Sequence, residues 1–136
     1  MKIAINDKRK IFAIQETFNK AFPYLKLEFF TKGHKQGGPS PKKFIKHPSK
    51  TLGECRTIHN NGSITITGNM TVTELEQRFG DVYGLGVQVF RKSGKMWLET
   101  TVTDGWTLEQ QNKQGESLST YLAANVHVSD KDQRAG

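Results

Sequence analysis

Few residues in this chain combine a reactive type with a spacing that chemistry could use. Cys55 and His59 lie four apart in a stretch that reads as a short helix, which would bring both to one side. A thiolate–imidazole pair also needs a third group to orient it and a lowered thiol pKa. A structural zinc site needs four ligands, and neither a Cys-x-x-Cys nor a His-Glu-x-x-His pattern is present. Cys55 is therefore expected as a small core residue beside Leu52. Glu99 and Asp104 flank a threonine-rich stretch, with Glu28 on another strand. Paired carboxylates can do acid–base work, but these read more simply as an exposed strand face and a helix-start turn. His34 and His47 sit among lysines, where they add pH-dependent charge, and His127 lies close to the last residues. Gly84-Leu85-Gly86 lacks the third glycine and the following helix of a dinucleotide loop, and the chain has no phosphate-binding Gly-x-x-x-x-Gly-Lys-[Ser/Thr] loop. No catalytic residue, metal site or cofactor is assigned. An enzyme ranks third among the readings.

Charge is more informative. Of the formal +7, residues 1–60 contribute +9 (13 Lys and Arg, 4 Asp and Glu) and residues 61–136 contribute −2 (7 against 9). Lys32, Lys35, Lys42, Lys43, Lys46 and Lys50 fall in one acid-free stretch with three prolines and three glycines. Such a stretch is mostly loop. It suits an electrostatic contact with phosphate, or serves as a solvated connector.

The elements that would position these groups repeat. Sliding the chain by 61 residues aligns Ile3 with Ile64, Ile5 with Ile66, Ile11 with Val72, Ile14 with Leu75, Phe18 with Phe79 and Phe22 with Tyr83. Each copy reads as a short alternating strand, a helix of 3.6-residue apolar period, then a longer strand. In the second copy a hairpin follows, Leu85–Lys92 and Met96–Thr103. In the first, only Lys43–Lys46 resembles a return strand. Capping boxes at Thr51–Glu54 and Thr107–Gln110 mark a second helix start in each copy, and Thr71–Glu74 opens the long helix of copy two.

The expected fold is α+β, with two degenerate β-α-β-β-α repeats related by a pseudo-twofold and long helices on one face of a joint sheet. The rival is a β-grasp-like unit in residues 63–115 with an irregular N-terminal extension. One domain spans 1–136, with halves near 1–60 and 61–118. A partly flexible tail, 119–136, holds an edge strand at Tyr121–Val128. Asp104–Gly115 reads as a short, weakly apolar helix, held by its cap with Trp106 in the core or else contacting a partner.

Strand alternation puts Leu25, Leu27, Phe29, Leu85, Val87 and Val89 on the core side. The opposite face then carries Tyr24, Phe30, Phe90 and Trp97 interleaved with Lys26 and Lys92. Rings among lysines suit single-stranded RNA or DNA. Alternatively, the short helices bury this face, or another protein or a second copy covers it. Phe29 and Phe90 align in the repeat yet fall on opposite faces, so a one-residue slip would exchange the faces. The eight Phe, three Tyr and two Trp exclude a disordered tail, the lone cysteine excludes a disulfide scaffold, and no apolar run reaches membrane-spanning length. With no leader-like start and one free thiol, the expectation is a cytoplasmic, non-enzymatic binding module without a membrane partner.

Overall fold

A computed structural model describes residues 1–32 and 42–135, with side chains for 1–31 and 42–121. The fold is mixed α+β with antiparallel strands. The order is β1 (Lys2–Ile5), α1 (Ile11–Ala21), β2 (Leu25–Lys32), β3 (Lys42–Phe44), a one-turn 3-10 helix (Leu52–Cys55), β4 (Gly62–Thr65), α2 (Val72–Tyr83), β5 (Gly86–Ser93), β6 (Met96–Glu99) and α3 (Leu108–Ala135).

Among the described residues the strands form two ladders, β1–β4 and β3–β2–β5–β6, rather than one joint sheet. The turn at Asn6, whose Oδ1 accepts from the Lys8 and Arg9 amides, ends β1 after four residues. Helical period does the rest. Ile11, Ile14 and Phe18 on α1 and Val72, Leu75, Phe79 and Tyr83 on α2 face one core with Ile3, Ile5, Ile64 and Ile66. Leu25, Leu27, Phe29, Val87 and Val89 close that core from the long sheet, and the helices pack on this face. Pairing of Leu27 with Val89 and Phe29 with Val87 settles the slip: Phe29 is core and Phe90 lies on the opposite face. Gly84, in the left-handed region at φ 63°, ends α2.

The starts of α1 and α2 are built from matching bonds. At the first, the Ile11 amide donates to Lys50 O, Leu52 to Arg9 O and Gly53 to Asp7 O; at the second, Val72 donates to Trp106 O, Leu108 to Met70 O and Glu109 to Gly68 O. Leu52 and Leu108 are both wholly buried.

Several expectations are corrected. The strand placed at Tyr121–Val128 and the separate short helix before it are one helix, α3. A capping box starts it, and no proline interrupts it. Its one interior glycine is where it crosses the sheet: a Cβ on Gly115 would lie 2.9 Å from Tyr24 Cβ and 3.1 Å from Arg91 Cγ. β6 stops at Glu99, not Thr103, because the Thr103 amide turns back to Thr100 O. Trp106 is 40% exposed instead of tucked into the core. Among the described residues, no helix is long and apolar enough to cross a membrane.

Candidate functional site

The sheet face away from the helices carries the most organised chemistry. Alternation sends Lys26, Glu28 and Phe30 from β2 and Gln88, Phe90 and Lys92 from β5 to this side, with Trp97 and Glu99 from β6. Phe44 joins them from β3, because its register partner is Phe30. The rings make a strip. Phe30 and Phe44 meet edge-on with centroids 6.0 Å apart, and Phe44 meets Phe90 at 5.7 Å. Lysines lie over the rings: Lys26 Nζ is 5.3 Å from the Phe90 centroid and 5.0 Å from that of Trp97, and Lys42 Nζ is 5.0 Å from Phe30. Lys46 stands 5.9 Å from Phe44.

Polar contacts fix these lysines. Lys26 pairs with Glu28 at 3.4 Å, and Lys42 donates to the buried Gln88 Oε1 at 2.8 Å. Phe30 and Gln88 are buried, while Phe44, Phe90 and Trp97 are half-buried. Where β6 turns away, Glu76 reaches from α2 to accept the Val89 amide at 3.3 Å. Burial raises the Glu76 pKa above the ordinary glutamate range, opposed by the Val89 bond and by nearby Lys42; Asp104 and Glu99 raise it further.

Of the sequence-assigned residues, the fold brings Lys26, Phe30, Lys42, Lys46, Phe90, Lys92 and Trp97 to this face or its border. Lys43 points the other way, paired with Thr31, and borders a groove around Cys55 together with Lys50. Lys35 and the Lys32 side chain lie outside the described residues. Tyr24 leaves the strip: it precedes β2, its amide donates to Asn112 Oδ1 and its Cβ packs on Gly115. Phe44 was missed, although its place two residues after Lys42 in a paired strand puts both on one side.

Cys55 and His59 do not form a pair. The 3-10 helix ends at Cys55 and Arg56 is extended, so the helical spacing does not apply. Burial pushes the Cys55 thiol pKa up, the opposite of what a thiolate nucleophile needs. The His59 ring instead meets Asp7 Oδ2 at 2.8 Å. Asp7 Oδ1 accepts from Nε and Nη2 of Arg56, whose wholly buried side chain also donates through Nη1 to Asn60 O and Tyr83 O. His59 and Arg56 together hold the Asp7 carboxyl below its ordinary range. With Arg56 bonded inward through Nε, Nη1 and Nη2, this cluster reads as a structural lock. Among the described residues, no group of His, Cys, Asp and Glu is placed to hold a metal.

The fold and this face define a class: an α+β protein with helices on one side of an antiparallel sheet and a lysine-dressed aromatic strip on the other. No family model, curated protein or solved structure matches the chain.

Proposed function

We propose that this protein is a small basic binding module, not an enzyme, and that it contacts single-stranded nucleic acid through Phe44, Phe90 and Trp97, with the buried Phe30 backing the strip. Lys26, Lys42, Lys46 and Lys92, on that face or at its border, then supply phosphate contacts. The observation that carries this reading is the seating of Lys26 and Lys42 over the rings. A base stacked on an aromatic contributes about 1–3 kcal/mol, whereas an exposed cation–π contact contributes about 0.5–1 kcal/mol. At Phe90 and Trp97, exchanging the Lys26 ammonium for a base therefore favours the base and leaves that lysine within reach of the phosphate beside it, while Lys42 stays on the buried Gln88 Oε1. A rival reading, a protein-interaction or homodimeric scaffold, is favoured by exposed Met96 and Leu98 on β6.

Duplication of one β-α-β-β-α unit accounts for the frame. Two strand pairings support it: Ile3 with Ile64, and Glu28 with Gln88. The first joins residues aligned in the repeat. The second does so once Pro23 and Tyr24 are set against Gly84 alone. The matching bonds at the starts of α1 and α2 support it again.

The test is fluorescence anisotropy with labelled oligouridylate and oligothymidylate, titrated at low and rising salt. Trp97→Ala or Phe90→Ala should weaken binding about tenfold. Replacing Lys42 and Lys46 with Ala should flatten the salt dependence by about 0.7 per lost phosphate contact. Absence of binding at low salt sinks the proposal.

A further inference from the structure

The four-stranded sheet has two outer strands of opposite character. On β3 and its continuation, Lys42, Lys43 and Lys46 crowd positive charge along the edge, which disfavours self-pairing. On β6 the order is Lys95, Met96, Trp97, Leu98, Glu99, with Met96 66% and Leu98 39% exposed and both end charges exposed. β6 pairs only with β5 among the described residues. The Thr100 amide donates inward to Val89 O, so by antiparallel alternation the even-numbered residues of this strand aim their backbone at β5. Trp97 and Glu99 consequently present their amides and carbonyls to the outside.

We propose that this edge docks a second copy of the same chain, β6 antiparallel to β6, about a twofold axis at Trp97. The argument is charge and backbone complementarity. In that register the outward amide and carbonyl of Trp97 exchange hydrogen bonds with Trp97 of the partner subunit. Lys95 lies across from Glu99 of the partner subunit, and the reverse pair forms by symmetry. Met96 lies across from Leu98 of the partner subunit. Centring the axis one residue either way sets Trp97 against a charged residue and breaks both ion pairs. An isologous contact of this kind closes at two copies and exposes no new edge. Its short length makes it a transient dimer, roughly micromolar or weaker. This inference does not rest on nucleic-acid binding, although it would join two aromatic strips into one longer surface.

The experiment is sedimentation equilibrium over a concentration series, on the full chain and on Lys95→Glu, Glu99→Lys and the double swap, with circular dichroism to show each is folded. Each single reversal sets like charges opposite one another twice per dimer. It should weaken association about tenfold, and the swap should restore it to within about threefold. A one-chain mass throughout the series overturns the proposal. So do single reversals without effect, or a dimer abolished by Phe44→Ala but untouched by the reversals, which moves the contact to the aromatic face.

Discussion

The starts of α1 and α2 share a backbone frame and differ in what locks it. At α1 the N-cap is Lys10, which makes no side-chain cap, and a buried Arg56 gripping Asp7 holds the junction. At α2, Thr71 Oγ1 accepts from the Glu74 amide. There the buried Gln111 donates to Thr103 O and Oγ1 and accepts from Arg91 Nη1. The accompanying helix is one turn long in the first case and 28 residues in the second. A frame set by main-chain bonds and one buried leucine thus tolerates wholly different polar locks and helix lengths.

Truncating those leucines is the strongest way to break the comparison. Leu52→Ala and Leu108→Ala should each cost about 2–5 kcal/mol in urea melts. Equivalent frames imply similar losses, and a loss below about 1 kcal/mol at one of them would end the equivalence. Next comes Arg56→Met, expected to cost about 2–4 kcal/mol because Tyr83 O loses its donor in a buried site and Asp7 and Asn60 O lose theirs beside it. Smaller again are the caps. Thr71→Ala should cost about 1 kcal/mol, and Lys10→Ser, supplying the cap that α1 lacks, should gain about 0.5–1 kcal/mol in the same melts.

Acidity gives the finest contrast. The Asp7 pKa is lowered on folding, so its contribution is present above the ordinary aspartate range and is lost as pH falls through the folded value. For Glu76 the pKa is raised, so its contribution is present below the ordinary glutamate range and is lost as pH rises through the folded value. Melting temperature followed against pH should therefore lose part of its acid-side fall in Asp7→Asn. In Glu76→Gln it should lose part of its decline from acid toward neutral pH.

Much of this frame was legible in the residues. Leu25, Leu27 and Phe29, and Leu85, Val87 and Val89, alternate strictly, and a half-buried strand demands that. The helices of both halves showed their period, and the capping boxes marked three of the four helix starts. Less local features were hidden. The Asp7–Arg56 lock joins residues 49 apart, with no periodicity to announce it. Tyr121–Val128 has residues suited to a strand, but a helix already running from Leu108 without a breaker extends at small cost per residue. Of the candidate site, Phe30, Phe90 and Trp97 were readable by alternation. Phe44 depended on how a short strand returns to β2.

Gly115 ties these regions into one mechanical train. With no side chain there, α3 sits directly on Tyr24 and Arg91. Arg91 bonds Gln111, and Gln111 holds Thr103 in the loop that follows β6. A methyl group at that crossing would act as a wedge, and its displacement would travel through Gln111 to the far end of the outermost strand.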